Sequence, residues 1–313
     1  MRTLTEALAR ARLETLSDEP LARHTSLGIG GPARLFARAD RVEPLAAAVR
    51  AAVRAGVPLL ALGGGTNLLV ADDGFDGLAL GIDVGGVRVD TSAGTITAGA
   101  AVPASELVDR ALDAGLAGLE FAAGLPGSVG GAVAGNAGCF GSTFGERLLS
   151  ARVVTAVGEV IEVVDPRWFC FDYRATSVAR RGALIAEATF SLAPGDRGRL
   201  AAVAKEHRAA RRERHPPRHA RTAGSWFKNL PPTEPGGRRR AAGALLDQVG
   251  AKALRVGDAA VFERHANIVI NRGAATARDV LALTVEMATR VRERFGVRLE
   301  PEVRFVGRRP EGL

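Results

Sequence analysis

Three α+β lobes around a glycine-lined cleft are what this sequence predicts, on three observations. Helical periodicity and short strand-like runs alternate along the whole chain. The first half holds three separated glycine loops, and the basic helical pattern over 196–214 breaks at Pro216-Pro217 before a new α/β pattern begins. The expected lobes are residues 1–78, 79–197 and 198–313. A chain of 313 residues with 47% apolar side chains has material for cores in each.

A helix is expected over 4–15, where Leu4, Leu8 and Leu13 fall near one face. The strand-like LFARA leads into a helix over 42–55, which opens at Val42-Glu43-Pro44 and closes at Gly56. PLLAL, a glycine loop and LLVA then complete a βαβ-like first lobe. Short strands (GLALGI, GVRVD, GTITAGA) and a helix over 103–115 follow. Residues 123–146, AGLPGSVGGAVAGNAGCFGSTFGE, read as non-helical, because each glycine inside a helix costs about 1 kcal/mol relative to alanine. Such glycines let backbone approach a ligand closely. Strands resume at RVVTAV, GEVIEVV and ALIAEATFSL. The third lobe reads as a helix at GALLDQVGA, one strand over AAVFERHANIVINRG, a long helix N-capped by Thr276 and ended by Gly296, and a final strand VRLEPEVRFVG.

Net charge is +8, which suits anionic partners, but 39 of the 42 basic side chains are arginine, so the balance reads equally as a compositional habit. Residues 205–221 carry seven basic and two acidic side chains, which either attract phosphates or form a solvated helix face. No run of about 18 apolar residues occurs, and the charged N-terminus lacks a signal-peptide core, so no membrane and a cytoplasmic location are expected. Cys139 and Cys170 form neither a metal-ligand spacing nor a disulfide framework and read as buried or half-buried small apolar residues. His207, His215 and His219 lack metal-ligand spacing, so no metal is expected.

GGGTN, Gly63 to Asn67, lies between two apolar strands and is not a P-loop, having no Gly-Lys-Ser/Thr ending and no helix after it. Either it is a tight turn, or its backbone N–H groups form a pyrophosphate-binding nest. With the two other glycine loops it favours an extended dinucleotide.

Read in order, HTSLGIGGPARLF, LGGGTNLLVADDGFDGL, LEFAAGLPGSVGGAVAGNAGCFG, FDYRATS, AGSWFKN, AGALLDQVGAKALRVGDAAVFERHANIVIN and LEPEVRFVG resemble the UDP-N-acetylenolpyruvoylglucosamine reductases, or UDP-N-acetylmuramate dehydrogenases, of peptidoglycan precursor synthesis. The resemblance spans almost the whole chain. It implies a two-lobed FAD-binding domain of the vanillyl-alcohol-oxidase/PCMH type, followed by a C-terminal α+β substrate domain. It also implies non-covalent FAD, NADPH as co-substrate and the UDP-linked enolpyruvyl sugar as substrate. The motifs carry the FAD contacts onto Gly63, Gly64, Gly65, Thr66, Asn67 and Leu68, and onto Pro126, Gly127, Ser128, Gly130, Asn136 and Gly138.

The family reaction passes hydride from NADPH through FAD to the enolpyruvyl carbon remote from the ether oxygen, and a proton to its neighbour. It needs a cation for the carboxylate and developing enolate, and a proton donor. By resemblance, Arg174 is the cation, offering a bidentate fork charged at any working pH. Tyr173, the single tyrosine in the chain, is either a core aromatic or a substrate contact. Glu302 matches the second catalytic position, as a group that positions Arg174 or a water, or as an acid. A glutamate within a closing strand would be expensive to bury without a partner. Ser225 matches the proton donor, with Gly224 permitting the turn that aims it; a Gly-Ser step alone reads as a cap or turn. Lys228 and Asn229 match positions contacting substrate phosphate or hydroxyls, or holding the loop, and a retained lysine suits a compact, rotatable ammonium. His265 is either substrate-facing or a satisfied histidine at a strand start.

The chain departs from the family pattern at Gly135 and at Cys139-Phe140, where methionine or alanine and a tyrosine are usual, which alters packing but not backbone contacts at the flavin. It resembles the compact subgroup lacking a tyrosine-bearing insertion, so no residue is assigned to the diphosphate. Two rivals stand beside this reading: a flavin-dependent oxidase with the same lobes, and an arginine-rich RNA-binding protein. Few aromatics accompany the arginines and no nucleic-acid motif occurs, so no nucleic acid is expected.

Overall fold

Three structural signals in the sequence, Gly56, Thr276 and Gly296, end their helices where expected. In the computed structural model, which describes residues 1–234 and 236–312, α1 is Arg2–Arg10 and α2 is Val42–Ala55, closed by Gly56 in the left-handed region at φ 61°. The first helix is shorter than expected. Arg12 turns the chain at φ 60°, and Leu13 is buried beyond the helix end. Leu4 and Leu8 pack with Leu45, Val49, Leu78 and Leu80 in one core.

The described residues divide into two units. One comprises Met1–Asp18, Arg34–Gly64 and Gly77–Arg211; the other, Glu19–Ala33, Gly65–Asp76 and Arg212 onward. The stretches 19–33 and 65–76, expected within the first lobe, thus assemble with C-terminal residues. Leu68–Val70 pairs in parallel with Arg304–Val306, and Leu27, Ile29 and Leu69 share a core with Trp226, Phe227 and Val269.

In the first unit, strand Leu59–Leu62 pairs in parallel with Phe75–Ile82. A five-stranded antiparallel sheet runs in the order Val160–Val163, Leu148–Val154, Leu184–Ser191, Thr95–Gly99, Val87–Asp90. Helix α3 (Ala104–Asp113) and a short α4 (Val129–Ala134) pack on its core through Leu107 and Val129 against Ile96, Phe144 and Phe190. Helix α4 corrects the expectation that 123–146 holds no helix. Ser128 caps it by accepting from the Gly131 N–H, and Gly130 lies where an added Cβ would come within 2.7 Å of the Ala100 Cβ. The glycine that weakens the helix is what lets it lie against its neighbour. Helix α5 is Arg197–Arg214. Cys139 is half-buried, but Cys170 is exposed, at φ 45° beyond a 3-10 turn, contrary to the expectation that both are sheltered.

In the second unit, an antiparallel sheet runs Arg221–Ser225, His265–Asn271, Ala259–Phe262, Arg255–Val256. The single strand expected over AAVFERHANIVINRG is a hairpin, because the charged Glu263-Arg264 pair stays exposed between two buried runs. Helix α6 is Ala242–Gln248. Helix α7 is Ala277–Phe295, with Thr276 and Asp279 in a reciprocal capping box and Gly296 at φ 66°. Its N-terminus is capped a second time, since Asp72 accepts from the N–H groups of Ala277 and Arg278 at 2.7 and 3.1 Å. The final strand is only Arg304–Val306; Glu302 precedes it rather than lying inside it. No helix among the described residues is long and apolar enough to cross a membrane.

Candidate active site

Two of the three glycine loops meet in the first unit. A Cβ on Gly63 would sit 2.8 Å from the Ser128 Oγ, and one on Gly64 would sit 3.3 Å from the Gly127 Cα. Absence of side chains on the first loop is therefore what allows it to approach the second. Gly127 has φ 101°, and its carbonyl accepts from Ala104 N–H. Pro126 is exposed and Gly130 half-buried. The result is a backbone-walled cradle of the kind suited to a phosphate-bearing cofactor.

Asn136 is 5% exposed and has φ 44°. Its amide donates to the Asp172 carbonyl at 2.9 Å and accepts from Gly145 N–H at 3.0 Å. Its side chain thus holds the turn carrying Tyr173 and Arg174. That turn is closed by reciprocal backbone bonds between Asp172 and Ala175. Arg174 sits at φ 54°, a conformation costing a non-glycine residue roughly 1–2 kcal/mol and held here by surrounding bonds. Its Nη2 donates to the Gly138 carbonyl at 2.7 Å, and its guanidinium lies 5.4 Å from the Tyr173 ring centroid. Tyr173 is half-buried, not a core aromatic. Burial pushes the neighbouring Cys139 thiol up, against the opposing pull of Arg211 and Arg174.

Ser225 lies in the second unit at the end of its strand. Pairing with His265–Asn271 shifts register between Thr222 and Ser225, and Gly224 at φ 78° makes that bulge. Nothing lies within 4 Å of a Cβ placed on Gly224, so the glycine is required by conformation rather than space. Thr222 Oγ1 donates to Val269 O and accepts from Gly224 N–H, fixing the bulge from inside. No hydrogen bond engages the Ser225 hydroxyl among the described residues. Ser225 ends a strand and is not a helix cap.

The rest of the motif is held by a residue sequence reasoning missed. Asn267, 3% exposed, accepts from Phe227 N–H at 2.9 Å and donates to Phe227 O at 2.8 Å, while its carbonyl accepts from Trp226 N–H. A polar side chain within the apolar run ANIVI was its signal. Trp226 O accepts from Glu302 N–H at 2.7 Å, bringing the segments of Ser225 and Glu302 together. Asn67 donates to the Glu302 carbonyl at 3.2 Å, and Ser26 Oγ bridges the carbonyls of Gly65 and Thr222. Gly65 is tightly enclosed, a Cβ there reaching 2.0 Å from His24 O; Thr66 is half-buried and Leu68 buried.

Lys228 is ion-paired, its Nζ lying 2.6 Å from Glu300 Oε1, and its backbone N–H bonds to Glu300 O. Asn229 Oδ1 accepts from Ala242 N–H at 3.2 Å. His265 is half-buried, accepts from Asn267 N–H at Nδ1, and lies 5.3 Å ring to ring from His215.

Residues 33–164 match the FAD binding domain family model, and residues 215–306 match that of the UDP-N-acetylenolpyruvoylglucosamine reductase C-terminal domain. UDP-N-acetylenolpyruvoylglucosamine reductase 2 of Symbiobacterium thermophilum is 40% identical over 293 residues, 93% of this chain and 92% of that protein. The chain belongs to this family. A second reductase of the same name, from an Anaeromyxobacter species, is 42% identical over 95% of this chain and 90% of its own. The crystal structure of the Thermus caldophilus reductase superposes with a TM-score of 0.76 at 31% identity, covering 95% of this chain and 99% of that one. The fold is accordingly α+β, an FAD-binding domain of the PCMH type plus the reductase C-terminal domain. The FAD binding domain match covers both of the loops that meet at Gly63, Gly64, Gly127 and Ser128, whose close approach a Cβ on Gly63 or Gly64 would obstruct.

Proposed function

We infer that the protein is an FAD-dependent oxidoreductase that reduces UDP-N-acetylenolpyruvoylglucosamine to UDP-N-acetylmuramate with NADPH, a step of peptidoglycan precursor synthesis. Full-length kinship with reductases of that name carries the reading. Bound FAD would relay hydride from NADPH to the enolpyruvyl methylene carbon.

This chain's residues supply the rest. Gly63, Gly64, Gly127 and Ser128 are proposed to hold FAD, with Gly65 to Leu68, Pro126, Gly130 and Gly138 as further backbone contacts. Asn136 acts through the turn it braces, with its own amide engaged. Arg174 is proposed to bind the substrate carboxylate and stabilise charge developing on the carbon beside the ether oxygen. The Ser225 hydroxyl is proposed to donate the proton to that carbon, a role supported by its unengaged state at the bulge. Glu302 is proposed to orient the reacting groups. Tyr173, Asn229 and His265 are proposed substrate contacts, whereas Lys228, paired with Glu300, is better read as loop support. The division into lobes 1–78, 79–197 and 198–313 is proposed with 19–33 and 65–76 reassigned to the C-terminal one, for a protein proposed to act in the cytoplasm.

The test is a pair of half-reactions without oxygen. NADPH should bleach the flavin, and the enolpyruvyl sugar should restore its colour faster than air does. Reoxidation by air alone would overturn the reading in favour of an oxidase.

A further inference from the structure

Read from sequence, the basic run 205–221 either attracts phosphates or forms a solvated face; in the structure part of it does neither. Along α5 the sheltered residues are Leu200, Val203, Ala204, His207, Arg208 and Arg211, one stripe at helical spacing. Leu200 and Ala204 join the core of the first unit. Beyond them the stripe turns polar and engages the stretch 120–140. His207 Nδ1 lies 2.9 Å from Glu120 O and, since a carbonyl only accepts, carries the proton. Its ring stacks on Phe140, with centroids 3.9 Å apart and an interplanar angle of 8°. Arg211 Nε donates to Gly124 O at 3.1 Å, and the same guanidinium hydrogen-bonds the Cys139 side chain. The fit is close, for a Cβ on Gly124 would stand 3.4 Å from Arg211 Cδ. Arg208 fixes the helix itself through an ion pair with Asp109 of α3.

Helix α5 therefore grips both ends of the segment 124–139, whose middle carries Gly127 and Ser128. That middle has ties of its own: Ala104 N–H to Gly127 O, Val129 N–H to Val102 O and Gly130 N–H to Ala100 O, at 3.0, 2.8 and 2.9 Å. The far end is a short hairpin, Gly138–Cys139 on Ser142–Thr143, set against α5 by the Phe140 stack at its tip. Gly138, next to Cys139, supplies the carbonyl that accepts from Arg174 Nη2 at 2.7 Å. We propose that His207 and Arg211 are positioning residues for Arg174, holding the Gly138 carbonyl to which its guanidinium is anchored. The proposal rests on the reaction inferred above and extends it to two side chains that act through Arg174.

The experiment compares FAD-loaded wild type, Arg211→Ala, Arg211→Lys, His207→Ala, Arg174→Ala and Arg174→Ala/Arg211→Ala. In Arg211→Ala the limiting rate of flavin reoxidation by the enolpyruvyl sugar should fall about tenfold to a hundredfold, because displacing a reacting group by about 1 Å costs rate on that order. Reduction by NADPH should be little changed. Arg211→Lys should recover part of the loss, and His207→Ala should show a smaller loss of the same kind. The double variant decides. If Arg211 acts through Arg174, Arg174→Ala/Arg211→Ala should be no slower than Arg174→Ala alone. Losses that multiply overturn the proposal, as does an unchanged sugar rate or equal damage to both half-reactions. Hydrogen exchange needs no turnover: the amides of 136–141 should exchange faster in Arg211→Ala, and unchanged exchange there overturns the grip. Should Arg211→Ala fail to fold, His207→Ala set against Arg174→Ala/His207→Ala gives the same comparison. Failure of the sugar to reoxidise wild-type flavin overturns the reaction instead, while exchange still judges the grip.

Discussion

The glycine cradle and the Ser225 segment solve opposite problems. In the cradle, Gly63 and Gly64 come against Gly127 and Ser128 because nothing protrudes from the backbone. In the Ser225 segment, the half-buried Thr222 and the buried Asn267 reach back to the main chain and hold an irregular strand in place. One site is made by removing side chains, the other by burying polar ones. A cradle of the first kind tolerates little addition; a brace of the second kind tolerates no deletion.

The sharpest separation of the two regions is Ser225→Ala. Flavin reoxidation by the enolpyruvyl sugar should fall by about 10²–10⁴ while reduction by NADPH stays intact; equal damage to both half-reactions would remove the proton-donor role. Gly64→Val should act on the other side of the comparison. With the Gly127 Cα already 3.3 Å from the added Cβ, FAD affinity should drop on the order of tenfold or more, read as flavin content after dialysis. Full flavin occupancy would show that the loops give way.

Asn267→Ala should be milder in activity and plain in stability. Both Phe227 backbone groups lose their partner, which costs about 1–3 kcal/mol for each buried group left unsatisfied. A lower Tm should accompany a larger loss in the sugar half-reaction than in the NADPH half-reaction. The smallest effect is expected at Asp258, beside neither site. Its carboxyl is held below the ordinary carboxylate range by the Ala274 N–H, with Arg255 contributing. Because the folded state lowers this pKa, its contribution is present above the ordinary range and fades as pH falls through the lowered value. Asp258→Asn should therefore lower Tm slightly at neutral pH and by less near pH 3.

The cradle was the more legible region. Glycine clusters are visible in any reading, and the caps at Gly56, Thr276 and Gly296 fixed two helices because their signals are local. The α4 helix was hidden by the same glycines, since propensity penalises them and only the Ala100 contact explains them. The Lys228–Glu300 pair joins residues 72 positions apart, and no spacing rule reaches that far. Asn267 left only a faint mark, a polar residue in an apolar run, whose meaning depends on the strand beside it. The placement of 65–76 with the C-terminal residues was illegible for the same reason, because parallel pairing with Arg304–Val306 is a purely long-range choice.

That placement bears on how the protein can be cut. A fragment beginning at Arg212 would contain every residue matched by the C-terminal family model. It would nonetheless lack the Leu68–Val70 strand beside Arg304–Val306 and the Asp72 carboxylate on the first turn of α7. The C-terminal portion is thus a stretch of gene without being a foldable module. Complementing it in trans would require a peptide spanning 65–76 as well as the stretch 19–33, whose Leu27 and Ile29 fill the same core.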